Sequence, residues 1–315
     1  MAQQVAVATA ELQAIQQNGT RPSTVRIRDE FFYAKKGRRP SISNILAPRG
    51  VNTQIYLLLL FEAQCRKRTG IAGPSSIPLF PEDPEDVSWD KIVVSQAKDN
   101  SHGKSRTTAR QNKIRQIKSA FQRLHQENLV RVSDASAGKP SIVTPLHEAG
   151  VLARGGAYEY TISNGSKGSV GLPVSFFTKG WIYCLTPSEV HLYLALLHLQ
   201  RRNYSTHWES GIFCAGNGRS QDYGISRDVY ESHLMLSRFK LITKIQSPIR
   251  HDDGKVRAYA AMQERGIPLP AHRFRVNPPT GFMGEAAERV ASGIRQELRQ
   301  RSRTEALANE NVEAR

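Results

Sequence analysis

Cysteine is scarce in this chain, with three residues at positions 65, 184 and 214. Odd in number and far apart, they fit buried thiols in a reducing cytoplasm better than disulfides or a zinc site. Long apolar runs are missing too. The longest, Ile55 to Phe61, is far too short to cross a bilayer. The opening MAQQVAVATAELQAIQQNG has no basic start and is broken by Glu11 and glutamines, so no signal peptide is expected. Catalytic signatures are absent. There is no HExxH and no CxxC, and no two of the nine histidines flank a single residue. Gly165 to Gly171 and Gly211 to Gly218 lack the Lys-Ser/Thr ending of a phosphate-binding loop and read as ordinary loops. The carboxylates of Glu82 to Asp90 lie in a Pro-rich stretch and read as a surface loop. His191 and His198 share one face of an apolar helix, as buried or interface histidines. The expectation is a protein that is not an enzyme, with no metal, no cofactor and no small-molecule ligand.

Acid is absent where base is densest. Lys104 to Arg123, KSRTTARQNKIRQIKSAFQR, carries seven basic residues and no Asp or Glu. Ile114, Ile117, Phe121 and Leu124 recur at helical spacing as a core stripe. The far side shows Thr108, Asn112, Arg115, Ser119 and Arg123, types that hydrogen-bond base edges and phosphates. A helix that packs on one face and offers this set on the other is suited to reading nucleic acid. The whole chain agrees: its formal net charge of +16 and pI near 10.0 point to a polyanionic partner. At 315 residues, 39% of them hydrophobic, it is long enough for about two domains.

The organisation repeats. A first unit opens at Asn52 or Thr53 as N-cap, with the apolar helix QIYLLLLFEAQCRK. After a Pro- and acid-rich insertion, residues 71–87, come Ser88-Trp89-Asp90 and Ile92-Val93-Val94. The basic helix and the short strand Leu129 to Val132 follow. A second unit opens with Thr186-Pro187-Ser188-Glu189, a capping box with proline at the first helical position. After VHLYLALLHLQ come His207-Trp208-Glu209, then Ile212-Phe213-Cys214. A helix capped at Ser226 then gives way to strand over Arg238 to Ile245. Leu124 to Leu129 in the first unit matches Leu236 to Leu241 in the second. Each strand is expected to return as a hairpin. In the second unit it turns at Asp252-Asp253-Gly254 into Val256 to Tyr259. In the first the return is Tyr158 to Ile162, after the long loop Ser133 to Gly156.

Helix, helix, recognition helix and two-stranded wing, twice over, resembles tandem winged helix-turn-helix DNA-binding proteins. Tyr223 to Ile245, YGISRDVYESHLMLSRFKLITKI, is similar to the helix-to-wing segment of many bacterial winged-helix regulators. Two such units in one basic chain also look like the architecture of plasmid replication initiators. The resemblance covers residues 50–262 and implies a mainly α fold with small β-hairpin wings. With the basic segment before it and the helical pattern after it, the chain is expected to divide into a flexible basic N-terminal arm (1–49), a first winged helix (50–163), a linker (164–179), a second winged helix (180–262) and a C-terminal helical tail (263–315). In the tail, Val290, Ile294 and Leu298 form a narrow stripe, read as a self-association helix or a frayed tail. The aromatic triplet Phe31 to Tyr33 reads as core docked on the first unit, with base stacking as the alternative.

The expected DNA contacts are Lys104, Arg106, Thr108, Arg110, Asn112, Lys113, Arg115, Lys118, Ser119 and Arg123 on the first unit. Arg38 and Arg39 of the Lys-Lys-Gly-Arg-Arg-Pro run would lie in a minor groove. The second unit offers Arg227, and its wing would clamp phosphates with Lys240, Lys244, Arg250, Lys255 and Arg257. Its third helix also carries Tyr230, Glu231, Leu234 and Arg238, a less basic face suited to weaker DNA contact or to protein. The expected partner is double-stranded DNA, bound sequence-specifically by a cytoplasmic, nucleoid-associated protein that can form a homodimer. A plasmid or phage replication initiator is the first role expected. A dimeric transcriptional regulator and a nonspecific nucleoid or RNA-binding protein are the alternatives.

Overall fold

Alternation of Val25 and Ile27 with Arg26 and Arg28 produces a strand, and that strand organises the molecule. The computed structural model describes the chain apart from residues 1, 35–37, 48–49, 81–82, 84–85, 101–105, 134–141, 152–155, 164, 166, 204–209, 252–255, 268–270 and 314–315, and the side chains of 303–313. Mainly helical, the fold carries small antiparallel sheets of two strands each. It begins with α1 (Ala2–Asn18), β1 (Thr24–Arg28) and the short α2 (Ser41–Ile45). The first repeat follows as α3 (Asn52–Arg66), β2 (Gly70–Ile71), α4 (Trp89–Ile92), α5 (Ala109–Gln126), β3 (Val130–Val132), β4 (Val143–Pro145) and β5 (Thr161–Ile162). A connector made of β6 (Ser169–Pro173), α6 (Ser175–Thr178) and α7 (Trp181–Cys184) leads to α8 (Pro187–Arg202). The second repeat continues through a π-helical turn (Gly218–Asp222) to α9 (Arg227–Glu231), α10 (His233–Arg238) and β7 (Ile242–Ile245). Last come α11 (Tyr259–Glu264), β8 (Arg273–Val276) and α12 (Ala286–Glu313).

Start and stop signals act as the chain dictates. Thr186 caps α8 with Glu189 closing the capping box, and Ser226 caps α9 through the Val229 N–H. The start of α3 differs from expectation. Val51, whose aliphatic side chain has no acceptor, occupies the cap, and the Asn52 amide donates to the Ile45 carbonyl at 3.1 Å. The two third helices end identically. Leu129 N–H donates to Leu124 O at 2.9 Å, and Leu241 N–H to Leu236 O at 3.0 Å. The preceding residues, Asn128 at φ 56° and Lys240 at φ 58°, are left-handed. This is a Schellman stop in both places, with a buried leucine pair across each.

The return strands are corrected. In the second repeat β7 pairs with β8, Ile242 opposite Val276, while 259–264 is helical. Phe274 of β8 also exchanges bonds with Ile212, at 2.8 and 2.9 Å, making a third strand position. Residues 252–254 of the expected Asp-Gly turn lie outside the described residues, but the flanking Arg250 and Val256 form an antiparallel bridge and Arg257 N–H donates to Ile249 O at 2.9 Å. What differs is the partner of β7, which is the apolar alternation of Phe274 and Val276 rather than Val256 to Tyr259. In the first repeat β3 pairs with β4, hidden in the Pro-rich loop, and β5 pairs with β2. A bridge from Leu146 to Glu159 joins the two pairs. Trp89 starts α4 behind the Ser88 cap, and the strand position equivalent to Ile212 is β2. Trp208 lies outside the described residues.

Residues 24–33 are not a flexible arm. β1 pairs in five-residue register with β6, from Thr24 opposite Pro173 to Arg28 opposite Ser169. Val25 and Ile27 are fully buried. Gly171 permits the pairing, since a Cβ there would sit 2.5 Å from Thr24 Cγ2. On the first repeat, Arg28 meets the buried Glu148 at 2.6 Å, and the Gln64 amide bonds both Arg26 O and the Tyr160 hydroxyl. On the second, Arg201 pairs with Asp29, and His198 Nδ1 meets the Tyr223 hydroxyl at 2.7 Å. Phe31 stacks near Tyr56 at 5.0 Å while Tyr33 lies against His198 at 4.7 Å. Phe31 and Phe32 are fully buried, so neither is placed to stack on bases. One continuous apolar core runs from Leu12 through both repeats to Ala286.

Candidate nucleic-acid interface

Helix α5 is built to present one face. Thr108 accepts from the Gln111 N–H and the Gln111 side chain returns the bond, so the helix starts sharply. Ile117, Ala120, Phe121 and Leu124 are buried, Phe121 edge-on to Trp89 at 5.3 Å. Ile114, expected in that stripe, is half-buried. Rotation by about 100° per residue then places Arg115, Lys118, Ser119 and Gln122 together on the opposite, exposed side. Gln122, uncharged and so not among the expected contacts, lies on this face as well. It sits one helical heptad from Arg115, and a glutamine can pair bidentately with adenine.

The other basic residues of the helix have acidic or backbone partners. Asp90 takes Arg110 Nε at 3.1 Å and lies 3.9 Å from Lys113 Nζ, which also donates to the Asp90 carbonyl. Burial pulls Lys113 below the ordinary lysine value against the opposing charge of Asp90. Asn112 donates to Lys98 O at 2.8 Å, and Asp99 accepts from the Ala109 N–H at the helix start. Arg123 bridges Glu127 at 2.8 Å and Asn44 O at 2.9 Å. Thr108 spends its hydroxyl on the cap, and Arg106 is exposed. The acid-free run is therefore not acid-free in space. Lys104, like Lys35 and Lys36, lies outside the described residues.

On the second repeat, Arg227 is exposed and pairs with Glu231 at 3.1 Å. Tyr230 is half-buried against His233, with the Arg219 guanidinium over its ring at 5.2 Å. Arg238 is held by Glu297 of α12 at 3.0 Å, and Gly293 lets α12 approach, because a Cβ there would sit 2.8 Å from the Phe239 ring. The start of α12 is thus docked on α10, with Ala286 buried and Val290 packed against the core. Ile294 and Leu298 of the expected stripe remain exposed. Lys244 and Arg257 lie on the segments around the second hairpin, while Lys255 is outside the described residues. Arg38 and Arg39 are exposed, and Arg38 donates to Val151 O. α5 and the second hairpin belong to different repeats, so the predicted contacts form two groups.

Among the described residues no group of three or more His, Cys, Asp or Glu side chains is placed to hold a metal ion. None of their helices is long and apolar enough to cross a membrane. Burial pushes the thiols of Cys65 and Cys214 up to about 12 and that of Cys184 to about 11, so each is a protonated filler. No family model, curated protein or solved structure matches this chain.

Proposed function

We propose that each repeat is a winged helix and that the chain is a non-catalytic, sequence-specific binder of double-stranded DNA, most simply a plasmid or phage replication initiator working in the cytoplasm. The observation that carries this reading is the α5 face of Arg115, Lys118, Ser119 and Gln122, exposed opposite a buried stripe. Arg and Gln discriminate bases by bidentate pairing, whereas purely electrostatic binding needs only charge. The order of elements supports it as well. Both repeats run helix, short strand position, short helical segment, third helix with a Schellman stop, and antiparallel hairpin. Two such units joined by a buried strand would engage major-groove faces about one helical turn apart.

A dimeric regulator is the second reading, favoured by one feature. Leu234 on the third helix of the second repeat is 47% exposed, an apolar side chain where a DNA reader would be polar. Selection of bound duplexes from a random pool at physiological salt, followed by sequencing, separates the roles. Direct repeats support an initiator on iterated sites and an inverted repeat supports a dimeric regulator. Tight binding without enrichment leaves nonspecific nucleic-acid binding and refutes base reading by α5.

A further inference from the structure

The second hairpin encloses a cleft of about 500 Å³ between β7, the segment after it and the approach to β8. Its walls carry Lys244, Arg250, His251, His272 and Arg273, and no acid is among the described lining residues. Lys244 stands opposite Phe274 in the ladder, and His272 is two residues from Phe274, so the three share one face of the hairpin. The His233 ring packs behind them, 5.3 Å from His272 and 5.2 Å from Phe274. Arg273 is on the opposite face, bonded to Gly211 O at 3.0 Å, and serves as a wall.

Among the described lining residues the charge is basic, with Glu231 acting on His233 behind them. Burial, then the charge of Arg250, lowers the Lys244 ammonium below its usual range. Burial first, and then Lys244, Arg250 and His233, push His272 down to about 4. Like charges held together in a half-buried concavity destabilise one another, and a bound anion would relieve that repulsion. The volume lies within the range of small-molecule sites and is larger than a single oxyanion needs.

We propose that this cleft binds the phosphate group of a mononucleotide-sized ligand, with Lys244 as its cation and His251 and His272 at its edges. The site is independent of the DNA-reading face of α5. It departs from the expectation that the chain takes no small-molecule ligand.

The test follows the histidine ring signals of the full-length protein by NMR during titration with inorganic phosphate, with AMP and with a short duplex. Sodium chloride of matched ionic strength serves as control. Saturable binding of AMP or phosphate that raises the His272 pKa by a unit or more is the expected result. AMP binding about tenfold tighter than phosphate assigns the site to a small ligand, and movement by the duplex alone overturns that assignment in favour of a DNA backbone. Lys244→Gln should weaken binding about tenfold and raise the His272 pKa without any ligand. The surface change His251→Gln should weaken binding with the fold unaltered, which guards against a misfolded Lys244 variant. No saturable shift with any of the three probes, or binding unchanged in both variants, overturns the proposal. A duplex-selection motif would survive that failure, so the two readings fail separately.

Discussion

Replacing Asp90 with asparagine removes the charge of a carboxylate that lies beside two cations of α5. Asp90 holds Arg110 at 3.1 Å and lies 3.9 Å from Lys113. The Arg110 side chain is 67% exposed and can swing outward, whereas Lys113 is 14% exposed and stays on the Asp90 carbonyl. Asp90→Asn should therefore release one cation to the DNA backbone. Each added phosphate contact steepens the dependence of log affinity on log salt by about 0.9. Between 1 M and 0.1 M salt, that corresponds to roughly eightfold tighter binding at the lower concentration. The pair with exposed Arg110 contributes about 0–1 kcal/mol, while the half-buried Lys113 loses its opposing charge, so thermal stability falls somewhat and is measured alongside. Fluorescence anisotropy on a selected duplex across a salt series measures both quantities, and Asp90→Asn with Arg110→Ala should cancel the gain. An unchanged slope and affinity in Asp90→Asn, with the fold retained, would refute the placement of this end of α5 against phosphates.

Arg115→Ala should lose about 1–3 kcal/mol of DNA affinity and relax preference at one or two base pairs. Lys118→Ala should weaken all sequences alike, and competition assays with mismatched duplexes tell the two patterns apart. Lys240→Gly should raise the urea midpoint. The left-handed conformation costs a side-chain-bearing residue about 1–2 kcal/mol and glycine gives back about 0.5–1 of that in chain entropy. Asn128→Gly should gain less, because asparagine tolerates that region, and a loss in Lys240→Gly would contradict the Schellman stop. Acid should act through His191, which is fully buried with Nε2 2.8 Å from Tyr223 O and a pKa pushed down to about 4. The unfolded chain takes up a proton below about pH 6.5 and the folded one does not until about 4. Stability therefore falls as pH drops through that window, by up to about 3 kcal/mol. Burial raises Glu148 and Glu189, which oppose this trend. The test is the difference in slope between wild type and His191→Gln, and parallel profiles would refute it.

What was legible in the chain was local. The Thr186 capping box, the Ser226 cap and the matched leucines of the two helix ends all act within a few residues, and each is realised where the residues stand. Pairings across long separations were not legible. Val143-Thr144-Pro145 forms a strand within a Gly- and Pro-rich stretch because Val130 to Val132 offers it an edge. Near the Asp-Gly signal at 253 a local antiparallel bridge does form, Arg250 to Val256, but the buried Phe274 and Val276, about thirty residues downstream of β7, take the pairing with β7. The same holds for the interface. Helical phase placed Arg115 and Ser119 on the exposed side, whereas the partners of Arg110 and Lys113 come from Asp90, and that of Arg238 from Glu297. Charge counted along a sequence overstates charge available in space.

Pairing of β1 with β6 has a consequence in time. Residue 28 meets residue 169, so the N-terminal strand leaves the ribosome 141 positions before its partner exists. At about 5–20 residues per second, that interval is on the order of 10–30 s. During it the whole first repeat can emerge and fold while Val25 and Ile27 lack their partners in β6 and Phe32 lacks His198. Closing the strap is then the event that makes the two repeats one body. A chain cut before residue 169 would keep the α5 face and lose the strand that β1 was made for.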